Sequence, residues 1–439
     1  MDEAYERKLR KEVRSAARLF LACVAATLFC TGVALAQSGR PDETSRLRRL
    51  YDEKRYFELR DAVESRRGRA DARMLFFRGA VANVFNRPRT STKYLNQYIA
   101  RAGADDEWLA EAYTVLADDF VKTYEYGKAA DVYRTLLDRF KHTLKTDEVE
   151  DYENSAALYG ALRAVPRQRV FVGKSARLNG PSSEAGWKAP VEANGQRIIL
   201  GLDTGANLSL LAKSVAEKLG VKMLDRSIAL GSITSIKVQP RLGFLPAMKL
   251  GGVTVRNAVF MVLDDKTLTF PDGFFLQGVI GFPVIEGLRE VSFDGDGTVW
   301  ASRKSSRAGA PNMCLDGKNI LFQGEYENRE LTFMLDTGAE RSVLYVPFLR
   351  DFEGEVKDKF SLRTERFTGV GGTEEVPAYV VKDFAVKLSG RDARLPEVRL
   401  LTKALNDSGK FYYGNVGGDL LKRFRRVTLD FVSMRVTFR

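Results

Sequence analysis

Two stretches of this 439-residue chain repeat one another without a gap. Ile198–Leu211 reads IILGLDTGANLSLL and Leu331–Leu344 reads LTFMLDTGAERSVL, an offset of 133 (203 to 336) that lays Asp203-Thr204-Gly205-Ala206 over Asp336-Thr337-Gly338-Ala339. Two further blocks keep nearly the same spacing. Val279–Ile285 answers Val416–Leu421 at an offset of 137 (281 to 418), and Arg289–Asp294 answers Arg425–Asp430 at 136 (289 to 425). A lone Asp-Thr-Gly is weak information, because turns favour those residues. Two of them, each behind an apolar run and each followed at a similar distance by an apolar, glycine-bearing segment, require a fold that builds one unit twice.

The local pattern says what kind of unit it is. Beyond Pro190, short β-branched and aromatic runs alternate with turn signals such as Asn194-Gly195 and Gly251-Gly252, as in hairpin-built all-β domains. The basic, small-residue stretch Ser302–Pro311 divides the two copies. Upstream, from Ser45 to Leu162, apolar residues recur at helical spacing with little glycine or proline inside the runs. Between the two patterns, Val165–Pro190 shifts to Gly, Pro, Ser and basic residues and reads as a linker. The chain is therefore read as multidomain, α followed by all-β. The expected divisions are a leader at 1–36, a helical domain at 40–164, a linker at 165–189, a first β lobe at 190–302, a linker at 303–311 and a second lobe at 312–439.

Within the helical part, Tyr113, Leu116, Ala117, Phe120, Tyr126, Ala129, Tyr133 and Leu136 resemble the packing positions of a tetratricopeptide helical hairpin. Gly79, Ser91 and Leu95 form a weaker copy 38 residues earlier (79 to 117). Such hairpins cannot bury their apolar faces alone. They serve either as a partner-docking surface or as a buttress for the β part.

The N-terminus carries basic residues from Arg7 to Arg18, an uncharged run from Leu19 to Gly39 and the small residues Val33-Ala34-Leu35-Ala36. This is the form of a secretory signal peptide. Export to the periplasm or exterior is expected, with the segment either cleaved after Ala36 or kept as a membrane anchor. Cys23 and Cys30 would leave with it, so Cys314 would be the mature chain's only cysteine and no internal disulfide could form. The single histidine, His142, belongs to no metal or triad motif, and no cofactor or metal site is read from the sequence. The net charge of +12 is spread without a dense basic run or a nucleic-acid-binding signature, so no nucleic-acid partner is expected.

From Pro190 to Phe438 the motif blocks resemble the retropepsin-like aspartic peptidases, duplicated within one chain; the Asp-Thr-Gly-Ala form is closer to retropepsins than to pepsins. The resemblance implies two retropepsin-like β-barrel lobes in a pseudo-twofold acid-protease fold, with one catalytic aspartate from each, Asp203 and Asp336. Peptide hydrolysis without metal or covalent intermediate needs one group to take a proton from water and another to give one to the amide, and two facing carboxyls sharing a proton supply both. By the same resemblance Thr204 and Thr337 bond across the lobes, Gly205 and Gly338 permit tight turns, and Ser209 and Ser342 bond the outer oxygens of the aspartates. Gly231 in the first half and Gly369, Gly371 and Gly372 in the second are candidates for hairpin flaps over an extended peptide substrate, or else ordinary hairpin turns. The alternative function is a non-catalytic peptide-binding or partner-recruiting envelope scaffold on the same fold.

Overall fold

A computed structural model describes residues 43–66, 71–179, 186–227, 240–270, 272–305, 309–369 and 372–439. The leader at 1–36 lies outside these residues. The chain forms two compact units, Met1–Glu53 and Lys54–Arg439. Of the first, the described part is the helix Glu43–Asp52 with Glu53. The second holds both copies of the repeat and the other helices that precede them.

Helices come first: Tyr56–Glu64, Ala72–Val84, Pro88–Ile99, Leu109–Lys122, Tyr126–Phe140 and Thr146–Ala161. Asp71 caps the second by accepting from Met74 N at 2.7 Å, and Pro88 opens the third, where its missing N–H costs no helical bond. Small residues set the packing. A side chain at Gly79 would collide with Leu95, and Ala117 and Ala129 are fully buried. The apolar layer these helices make is completed by the β part: Leu242 and Val259 belong to the same buried cluster as Val121, Tyr126, Tyr133, Tyr159 and Leu162. Helices and strands, read in the sequence as separate domains, thus share one core.

The strands of the first copy are β1 Arg169–Phe171, β2 Ser175–Arg177, β3 Lys188–Ala193, β4 Gln196–Leu202, β5 Ser209–Ala212, β6 Lys222–Ser227, β7 Arg241–Leu250, β8 Val253–Leu263, β9 Gly278–Ile280, β10 Glu290–Asp294 and β11 Val299–Ser302. Those of the second are β12 Met313–Asp316, β13 Asn319–Tyr326, β14 Arg329–Leu335, β15 Val343–Leu344, β16 Leu362–Gly369, β17 Gly372–Leu388, β18 Arg391–Leu401, β19 Gly414–Val416, β20 Arg426–Asp430 and β21 Arg435–Phe438. In the first copy β3-β4-β9-β5-β8-β7 closes on itself, β7 pairing with both β8 and β3. The second copy closes the same circuit as β13-β14-β19-β15-β18-β17. In both, the strand that leads into Asp-Thr-Gly runs parallel to a three-residue strand, β4 beside β9 and β14 beside β19.

A separate five-stranded sheet, β2-β11-β10-β20-β21, joins the copies. At its centre β10 pairs antiparallel with β20, and Ser292 faces Thr428 with their hydroxyls 2.7 Å apart. The turn after β10, Asp294-Gly295-Asp296-Gly297, is a plain hairpin turn whose Asp294 holds Arg426 through two hydrogen bonds, so it ties the copies together.

Two expectations need correction. The stretch 165–189 is not a bare linker: β1 pairs with β8, β2 extends the joining sheet beside β11, and β3 starts at Lys188. Three-residue edge strands show no periodicity of their own and exist because a distant edge offers partners. The offset of 137 is also one too long. Gly281 N bonds Ser209 Oγ and Gly417 N bonds Ser342 Oγ, so Gly281 answers Gly417 at 136, in line with the block that follows.

Candidate active site

Asp203 and Asp336 each follow a strand whose last two residues pair in parallel with a short neighbour. Asp203 N donates to Ile280 O and Asp336 N to Val416 O, both at 3.0 Å, so the neighbouring short strand fixes where each aspartate begins. The next residue crosses to the other copy. Thr204 N donates to Thr337 Oγ1 at 3.1 Å and Thr337 N to Thr204 Oγ1 at 3.0 Å. The hydroxyls in turn donate onward, Thr337 to Leu202 O at 2.7 Å and Thr204 to Leu335 O at 3.3 Å. Thr204 is 1% and Thr337 4% exposed, and a buried bond of this kind costs most when one partner is removed. The reciprocal pair therefore locks the two loops in a single register.

The carboxyls meet at the centre of this lock. Asp203 Oδ1 accepts from Gly205 N at 2.8 Å and Ala206 N at 3.0 Å, while Asp336 Oδ1 accepts from Gly338 N at 2.8 Å. Each glycine faces the other copy's aspartate: a β-carbon at Gly205 would lie 2.5 Å from Asp336 Oδ2, and one at Gly338 would overlap the Asp203 carboxyl. Here glycine is required by close approach and not by backbone angle. The Asp203 carboxyl is pushed up to about 7, first by burial and then by the charge of Asp336, with a hydrogen bond to Asp336 acting in the same direction. The backbone donors at Gly205 and Ala206 pull the other way.

Ser209 and Ser342 do something other than the expected bonding of the aspartates. Ser209 Oγ accepts from Gly281 N at 3.0 Å. Ser342 Oγ accepts from Gly417 N at 2.9 Å and donates to Asp419 Oδ1 at 2.6 Å. Both are buried beneath the loops and pin the glycine segment that follows β9 or β19. Each serine oxygen thereby satisfies a buried backbone N–H. Asp419, which also accepts from Ser342 N and Leu420 N, was not singled out from the sequence. Its counterpart at the 136 offset is Pro283, so no repeat signal marks it.

Among the flap candidates, Gly369 pairs with Gly372 at the end of the β16–β17 hairpin. Gly231 and Gly371 lie outside the described residues. Arg366 bonds Glu375 across the hairpin at 2.7 Å, and Arg399 of β18 reaches Glu365 on β16 at 3.2 Å. Among the described residues no cluster of His, Cys, Asp and Glu is grouped to hold a metal ion. Cys314 is fully buried on β12, and burial pushes its thiol well above the ordinary range, so it stays protonated.

A model of the aspartyl protease family matches residues 189–284, which contain Asp203. No curated protein has a matching sequence. Among solved structures, a retropepsin-like aspartic protease from Rickettsia conorii is 18% identical, covering 31% of this chain and 95% of its own, with a TM-score of 0.23. Basic 7S globulin from soybean is 10% identical, covering 62% of this chain and 96% of its own, with a TM-score of 0.31.

Proposed function

We propose that this chain is an aspartic endopeptidase in which Asp203 and Asp336 form one catalytic pair across two retropepsin-like lobes. The observation that carries the reading is the reciprocal threonine lock, which holds two carboxyls in hydrogen-bond contact and raises Asp203 to about 7. With one proton on the pair, the ionised carboxyl takes a proton from water as the oxygen attacks the scissile carbonyl. The protonated carboxyl delivers its proton to the substrate, and the two then exchange roles as the leaving nitrogen is protonated. The substrate is an extended peptide, bound by backbone pairing with alternate side chains in pockets. The N-terminal segment supports export. The shared core with Leu242 and Val259 supports the buttress role for the helices.

The test is hydrolysis of an unbiased peptide library from acid to neutral pH by the chain without residues 1–36, beside Asp203→Asn and Asp336→Asn. Each variant is expected to lose at least about 10³-fold in kcat/KM with its fold intact, and mixing the two should restore nothing. Cleavage that survives either substitution would overturn the paired site. No cleavage by the folded parent protein at any pH would favour the scaffold reading.

A further inference from the structure

The second copy has an open cavity of about 530 Å³ beside the catalytic loops, lined in part by Gly338, Glu340, Arg341, Asp419 and Lys422. The first copy has a cavity lined by the residues that answer it. Leu208 corresponds to Arg341 at the 133 offset, and Phe282, Pro283 and Glu286 correspond to Gly418, Asp419 and Lys422 at 136. There the helical layer fills the space with Val121, Tyr124 and Tyr126, leaving about 20 Å³. Tyr124 Oη donates to Pro283 O at 2.8 Å, Asn86 Nδ2 donates to Glu286 Oε1 at 2.9 Å, and Leu208 packs on the helical cluster. One site of a duplicated pair is plugged and the other is left open at a volume in the range of ligand pockets.

The open site has a defined charge. Arg399 is held between Glu397 and Glu365, and Asp419 is occupied by three donors from Ser342 and Leu420. Those donors are neutral and leave the charge of Asp419 in place, so Arg341, Lys422 and Arg423, which have no ion-pair partner among the described residues, stand against the carboxylates of Glu340 and Asp419, an excess of one positive charge. The cavity reaches Gly338, which abuts the Asp203 carboxyl, so a peptide lying across the aspartates can place a side chain in it.

We propose that this cavity is the specificity subsite and that it takes an acidic side chain, Asp or Glu, from the substrate on one side of the scissile bond. The inference rests on the peptidase reading above. Arg341 and Arg423 supply charge-assisted hydrogen bonds, which favour a carboxylate over its amide isostere and weaken with salt. The plugged first-copy site makes the preference one-sided.

The test scans Glu, Gln and Lys through each position of an extended peptide set. Cleavage is read with the full chain and binding, by fluorescence anisotropy, with full-length Asp203→Asn. At one position Glu should exceed Gln by about 10-fold in both readouts at about 50 mM salt, and the margin should shrink several-fold at about 500 mM. In Arg341→Glu/Arg423→Glu, Lys should replace Glu as the favoured residue there. Equal treatment of Glu and Gln at every position, or a Glu preference that survives the double charge reversal, overturns the subsite. Binding that prefers Glu without any cleavage keeps the subsite and overturns the peptidase reading; neither binding nor cleavage overturns both.

Discussion

The two copies differ most where they are built from matching positions. Around the aspartates they are nearly interchangeable, with the same closed circuit, crossed threonines and serine-to-glycine bond. One step away, Leu208, Pro283 and Glu286 lie under helices while Arg341, Asp419 and Lys422 face an open cavity. A duplicated frame thus keeps what two-sided geometry demands and lets each copy's outer face serve a different contact. The shared part answers to hydrogen bonds that need both copies at once. The divergent part answers to whatever covers each face.

The largest effect should come from the shared part. Gly205→Ala and Gly338→Ala each place a methyl on the opposite carboxyl, and each is expected to lower kcat/KM at least about 100-fold while leaving the chain folded by circular dichroism. A loss in one variant only would show that the two loops are less equivalent than their bonds imply.

Next is the divergent pair. Leu208→Arg puts a charge against the helical layer and should cost about 1–3 kcal/mol in urea denaturation, with earlier proteolysis of the helices. The reciprocal Arg341→Leu, at an exposed position, should stay within about 0.5 kcal/mol. Equal costs would break the contrast between plugged and open faces.

The aspartates give a pH signature. Because Asp203 is raised above its ordinary value, this carboxyl binds more protons in the folded chain than in the unfolded one between about pH 4 and 7, so its contribution to stability falls as pH rises through that window. Hydrolysis should fall as pH rises through about 7, when the shared proton is lost. Asp203→Asn removes the repulsion and should raise stability by about 1–3 kcal/mol at pH 8, with the gain fading towards pH 4. A gain that grows on acidification would contradict the assigned direction. A modest effect is expected at the joining sheet, where Ser292→Ala leaves Thr428 without its partner and should cost about 1 kcal/mol.

The sequence determined on its own that one β unit occurs twice, that each copy presents Asp-Thr-Gly behind an apolar strand, and that helices precede them. Those features are local: period, turn chemistry and a repeated string survive in one dimension. Tertiary structure decided the rest. Ser209 and Ser342 accept from glycine N–H groups that only the fold brings beside them, 72 and 75 residues further along the chain. Arg169–Phe171 and Ser175–Arg177 became strands because β8 and β11 offered edges to pair with. The contrast between a plugged and an open face depends on where the helical layer lands, and no residue pattern states which of two matching surfaces a neighbouring layer will cover.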